Sequence, residues 1–300
     1  MEIESQRVRS APSTFLCQVR ELWGRISCPL GKYGSTVHPI ERLRYVARAT
    51  HVPADVLARE TAIALADFVG DAAGLLIACR RILDRQAASG PLVWLAAQVL
   101  GAPNQRKALW DVVELLEDDR TPAALAYSVP DDAVVAVVGW TDAVSVLARK
   151  RGDLGFVIVD TDGNAEYQID RFADEGQTLV TVDAEGTAQA LLDATHLLVP
   201  FEALGPNRGL APMGTFQAAA VARHLEVPVW GVASIGVALG ERMYGGLVRR
   251  WNEQVGGPRY LRELEEVPLS LVDQVITTAG AVTSADAVQN SGCPVVPELF

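Results

Sequence analysis

Three hundred residues, 49% of them hydrophobic, can bury one large core or two moderate ones. A net charge of −11 argues against a general nucleic-acid binder, because counterion release from a phosphate backbone needs a basic face. No run of about 18 apolar residues suggests a membrane span, and the opening MEIESQRVRS lacks the apolar centre of a signal peptide, so a cytoplasmic location is expected.

Four cysteines, at 17, 28, 79 and 293, and four histidines are dispersed without ligand spacing. The expectation is reduced thiols with no metal and no cofactor. Charge is uneven: up to Val52 there are 8 Lys/Arg against 4 Asp/Glu, leaving 18 against 33 of the totals of 26 and 37. A basic leader on an acidic body reads as a solvated tail, a strap or a partner contact.

Residues 1–37 mix Ser, Pro and Gly with isolated apolar groups and read as a partly ordered arm with one short helix around 15–25. From His38 the apolar positions recur every three or four residues, in IERLRYVARAT, VLARETAIALADFV, DAAGLLIACRRILDRQ and LVWLAAQVLG, with breaks at Pro53, Gly70, Gly90-Pro91 and Gly101. Two further helices are predicted near 106–116 and 122–127, with Thr121 as N-cap and Pro122 at the first helical position. Residues 38–130 are thus expected to be an all-helical domain.

The composition shifts at Pro130-Asp131-Asp132. Strands are predicted at 133–139, 156–160, 178–183, 196–200, 227–234 and 271–280, and helices at 141–150, around 165–173, at 186–193 and at 214–224. Val/Ile-rich runs without polar alternation belong to a parallel sheet covered on both faces. Residues 131–285 therefore read as a Rossmann-like α/β domain with a mostly parallel sheet, followed by a tail at 286–300.

The chemistry is sparse. Gly139 alone stands where a dinucleotide fold needs three glycines, and Asp160 reads as a turn and helix cap. There is no GxSxG, HExxH or P-loop. Glu265-Glu266 and Glu117-Asp118-Asp119 read as solvated charges, and Arg249-Arg250 as the end of a surface helix. The informative stretch is 195–220: a strand, a Pro/Gly/Asn loop from Pro200 to Pro212, and a helix entered at Met213-Gly214-Thr215. Amides of Gly214 and Thr215 at a helix N-terminus suit either an anion or simple capping. Glu202, just past a strand, is either structural or a carboxylate whose pKa burial would raise for acid/base work.

Three pieces together resemble the family of translation initiation factor 2B and methylthioribose-phosphate isomerase: Leu197 to Val229 with GTFQAAAVARHLEVPV, the tail PLSLVDQVITTAG, and AVVAVVGWTDAVSVLARK behind a helical domain. The resemblance covers roughly residues 39–285. In the family's isomerases a cysteine after the first sheet strand and an aspartate after the fourth move protons, and an Asn-Lys pair holds the substrate. This chain has Gly139-Trp140-Thr141-Asp142 at the first place, Phe201 in the ungapped match to the acid or Glu202 with a one-residue shift, and Ala211-Pro212 for Asn-Lys, while Gly214 and Thr215 carry over. What the resemblance implies is a non-catalytic, dimerising protein that binds a phosphorylated small molecule or a protein partner. The alternative is a sugar-phosphate isomerase with its acid/base pair moved to Asp142 and Glu202. Either implies a crevice at the strand carboxyl ends lined by Trp140, Thr141, Asp142, Glu202, Asn207, Arg208, Gly214 and Thr215. The helix 214–224 and the segment 237–251 are the candidate dimer faces.

Overall fold

Four helices of the N-terminal half start where a side chain takes up a free amide. The structure, a computed structural model, describes residues 39–48, 54–161 and 178–300. Six helices come first: α1 (Pro39–Arg48), α2 (Ala54–Leu65), α3 (Ala72–Arg85), α4 (Gly90–Gly101), α5 (Gln105–Glu117) and α6 (Thr121–Ser128). The Asp71 carboxylate accepts from the Gly74 amide at 2.9 Å, and the Asn104 side chain from Lys107 at 3.0 Å, capping α3 and α5. Helix α4 is apolar all round, and nine of its first ten residues are buried, as a helix enclosed by its neighbours must be. Helix α6 begins one residue before the expected start: Thr121 is its first residue, and the Asp119 carboxylate receives both its amide (2.8 Å) and its hydroxyl (2.6 Å).

The sheet half contains β1 (Val134–Val138), α7 (Asp142–Lys150), β2 (Gly155–Asp160), β3 (Thr178–Asp183), α8 (Thr187–Asp193), β4 (His196–Pro200), β5 (Ala203–Leu204), β6 (Arg208–Pro212), α9 (Thr215–His224), β7 (Val229–Val232), α10 (Glu241–Val255), β8 (Leu264–Pro268), β9 (Gln274–Thr277), β10 (Gly280–Val282) and α11 (Ser284–Gln289). The large sheet runs β10-β9-β7-β4-β1-β2-β3, parallel throughout except for the β9–β10 hairpin. From β1 the chain winds outward to β2 and β3; from β4 it winds the other way to β7 and β9. This reversal between β1 and β4 is the topological switch of a doubly wound sheet, beneath which such folds bind ligands. All five β4 residues are buried, as a strand covered on both faces requires. At its amino end His196 lies edge-on to Trp230 at 4.4 Å and meets the Thr195 hydroxyl at 3.0 Å, while burial holds its pKa down; it is structural.

Three expectations change. The 200–212 loop contains two strands, which join β8 in a small antiparallel sheet ordered β5-β6-β8. The single strand at 271–280 is instead a short 3-10 turn, β9, and the returning β10. Residues 292–300 are part of the core: Leu299 is fully buried, Gln98 Nε2 donates to the Gly292 carbonyl at 2.7 Å, and Arg80 Nε donates to the Glu298 carbonyl at 2.7 Å. Arg250 donates to the Leu299 carbonyl and lies 5.0 Å over the Phe300 ring, so Arg249-Arg250 is not simply a solvated helix end. Residues 39–300 form one compact unit. One apolar core joins α2 to α5 with Met243, Leu247 and Trp251 of α10 and with Leu299; two others line the two faces of the sheet. The short helix at 15–25 and the helix around 165–173 fall outside the described residues. Among the described residues no helix is long and apolar enough to cross a membrane.

Candidate functional site

At the switch point, β1 ends at Val138 and β4 at Pro200, and the segments that follow them carry most of the residues singled out from the sequence. Gly139 adopts φ +75°, and a Cβ there would come within 2.8 Å of Pro212 Cγ. The turn therefore needs glycine, and the Pro212 ring lies directly against it. Beyond it the Trp140 indole turns back onto the sheet: Nε1 donates to the Ser145 hydroxyl at 2.7 Å, and the ring meets Phe156 edge-on at 6.0 Å. Thr141 caps α7, its hydroxyl accepting from the Val144 amide at 3.5 Å. Asp142 opens α7 by its backbone; its side chain lies outside what is described.

After β4, Phe201 is buried with its ring packed against Gly209 and Gly231, so the ungapped counterpart of the family acid is a core residue. Glu202 hydrogen-bonds through its backbone, donating to the Leu210 carbonyl at 2.8 Å and accepting from the Gly90 amide at 2.9 Å. Its carboxylate is half-buried, has no hydrogen-bonding partner among the described residues, and is raised in pKa by burial. Among the described side chains it is the titratable group at the switch point whose chemistry suits proton transfer. Asn207 and Arg208 are exposed at the far end of β6, and Asn207 borders a separate surface cleft with Leu269 and Thr283.

Gly214 and Thr215 lie at the entrance of α9. Gly214 adopts φ +93°, which turns the chain from β6 into the helix. The Thr215 hydroxyl is fully buried and makes no capping bond. The first-turn amide of Phe216 is instead taken by the Glu265 carboxylate of β8, at 3.0 Å. A cleft of about 730 Å³ opens beside this turn, bounded by Gly214, Phe216, Asp160, Asp183, Glu185 and Glu265 among others. No Lys or Arg lines it among the described residues. In the sequence Glu265 reads as a solvated charge, and Asp183 and Glu185 carry no signal that distinguishes them from ordinary strand-end charges.

Two further carboxylates hold the framework. Asp119 receives Thr121 and, through its second oxygen, the Ile235 amide beyond β7 at 3.1 Å, so it is not a solvated charge. Asp273, within the tail motif PLSLVDQVITTAG, accepts from the Val229 amide at 2.8 Å and pairs with Arg223 at 2.8 Å. The candidate dimer segments spend their apolar faces internally: Ala218, Ala219 and Ala222 of α9 pack on the sheet, and Met243, Leu247 and Trp251 of α10 join the helical core. Cys79 and Cys293 are pushed up to about 12 by burial, so neither is a ready nucleophile. Among the described residues no group of three His, Cys, Asp or Glu could hold a metal.

This geometry defines a class: a doubly wound sheet preceded by a helical bundle, with a small antiparallel sheet carried at the carboxyl ends of its strands. Solved structures of that class include translation initiation factor eIF-2B from Pyrococcus horikoshii OT3, at TM-score 0.67 and 13% identity over 84% of this chain and 98% of that one. The tetrameric eIF2B-beta2-delta2 complex from C. thermophilum is similar at TM-score 0.65 and 14% identity, over 84% and 94% of the two chains. The 5-methylthioribose 1-phosphate isomerase of P. horikoshii OT3 gives TM-score 0.58 and 13% identity, over 84% and 87%. At these identities the likeness defines the fold. No family model matches the chain, and no curated protein matches it in sequence.

Proposed function

We propose that this chain is a non-catalytic, factor-2B-like protein of the cytoplasm that binds a protein partner and forms a homodimer. The observation that carries the reading is that unreactive side chains of the chain itself, Trp140 and Pro212, pack where the family resemblance would put the reactive groups. Where proton transfer would need a reactive group after β1, the indole of Trp140 is bonded to Ser145, and the Pro212 ring rests on Gly139. An indole N–H is a donor only, and proline supplies neither charge nor amide proton. Of the two ligand classes that the family resemblance implies, a protein partner fits this chemistry better than a phosphorylated metabolite, which would face the acidic wall of the neighbouring cleft.

A sugar-phosphate isomerase with a relocated acid/base pair is the second reading. One observation favours it: Glu202 has a burial-raised pKa and no partner among the described residues.

Sedimentation equilibrium of the full chain, combined with incubation with 5-methylthioribose 1-phosphate, tests both. The proposal expects twice the chain mass of 32.2 kDa and no interconversion of the sugar phosphate. A monomer at all concentrations would remove the dimer. Interconversion abolished by Glu202→Gln would establish the isomerase instead.

A further inference from the structure

We infer that Glu265 is a resident anion: its carboxylate occupies the amino terminus of α9 and closes that position to anions from solution. Strand β8 runs antiparallel to β6 with Glu265 opposite Ala211 and Leu264 opposite Pro212, and the ladder is prolonged by the Met213 amide donating to the Glu263 carbonyl at 2.8 Å. That register sets Glu265 against Ala211, four residues before Thr215, and so beside the first turn of the helix that β6 feeds. The Phe216 amide then donates to Glu265 Oε1 at 3.0 Å.

The free amides of a helix N-terminus carry partial positive charge, and a carboxylate there acts as a capping group and as an electrostatic partner. Such a turn, entered from a strand through a left-handed glycine, is otherwise suited to phosphate or sulfate. Among the described residues no local side chain competes with Glu265: Gly214 has none to offer, and the Thr215 hydroxyl, although fully buried and unpartnered, does not cap. Among the described residues Asp183 and Glu185 line the adjoining cleft, so an incoming anion would meet like charge as well as an occupied amide. Glu265 is on this account a positioning residue that makes the order of the α9 entrance independent of ligand. The inference concerns anion access alone and does not depend on whether the chain dimerises, so the two proposals fail separately.

The test uses the full chain, with inorganic phosphate as the probe and chloride at matched ionic strength as the control. Wild type is expected to show no phosphate-specific change in Tm. Glu265→Ala is expected to melt about 2–4 °C lower, as loss of about one capping interaction implies, and phosphate is expected to restore most of that fall saturably. The Phe216 amide resonance should move in the variant and return toward its wild-type position with phosphate. Equal Tm values for wild type and variant, or a fall that phosphate does not reverse, would overturn the inference. Should Glu265→Ala not fold, Glu265→Gln keeps an acceptor but removes the charge; a Phe216 amide resonance unchanged in that variant would overturn it equally.

Discussion

Asp273 and Glu202 lie at opposite ends of the parallel sheet and have opposite lives. At the amino end Asp273 uses both oxygens, one on the buried Val229 amide and one on Arg223, and so fastens β9 to β7 and to the end of α9. At the carboxyl end Glu202 has a half-buried carboxylate with no partner among the described residues, and burial raises its pKa. The difference separates two kinds of likeness. Asp273, in a segment that resembles the factor-2B and isomerase family, does work that any sheet of this topology needs. The positions to which that resemblance would assign the isomerases' chemistry hold Trp140, Phe201 and Pro212, which pack.

The sharpest way to break this contrast is to remove Asp273. Asp273→Ala leaves the Val229 amide buried and unpaired, and is expected to cost about 2–3 kcal/mol in chemical denaturation; a loss well under 1 kcal/mol would mean the motif is not a structural stitch. Asp119→Ala takes away the acceptor of Thr121 and Ile235 and is expected to cost about 1–2 kcal/mol by the same measurement.

Glu202→Gln should have the opposite sign. A carboxyl whose folded pKa is raised leaves stability untouched while both states are protonated. It lowers stability progressively as pH rises from the unfolded pKa through the folded one. The variant should therefore melt higher than wild type at neutral pH and converge with it in acid. Equal melting at every pH would show that the carboxylate is well solvated after all.

The smallest effect belongs to Asn207 and Arg208. Both are exposed at the far end of β6, so Asn207→Ala and Arg208→Ala are each expected to change stability by no more than about 0.5 kcal/mol.

Much of the fold was legible in the residues. The runs AVVAVV, FVIVD and HLLVP could be read as parallel strands because a strand covered on both faces carries no polar alternation. The helices before them announced themselves by period and by the Pro and Gly breaks between them. The small antiparallel sheet did not, because β6 and β8 pair across more than fifty residues, and neither Pro200–Pro212 nor LEEVP has a periodicity of its own. Glu265 was hidden for that reason: its meaning depends on a register, and a pair of adjacent glutamates looks solvated until the register is known. Asp119 was hidden by its neighbours in an acidic run. Of the residues expected to share one crevice, Trp140, Thr141 and Glu202 do follow the two central strands, Gly214 borders the acidic cleft, Thr215 is buried beside it, and Asn207 and Arg208 lie elsewhere. Strand ends can be located from a sequence; the direction a side chain takes after the strand depends on what already fills the space, as Pro212 does above Gly139.

The most direct test of the central claim, that the chain's own residues fill the place of a sugar-phosphate substrate, is a titration of the wild-type chain with 5-methylthioribose 1-phosphate followed by thermal unfolding. The account predicts a melting temperature that does not depend on the sugar phosphate beyond the effect of ionic strength. A saturable rise, growing toward the roughly 2.7 kcal/mol expected at a hundredfold excess over the dissociation constant, would contradict it.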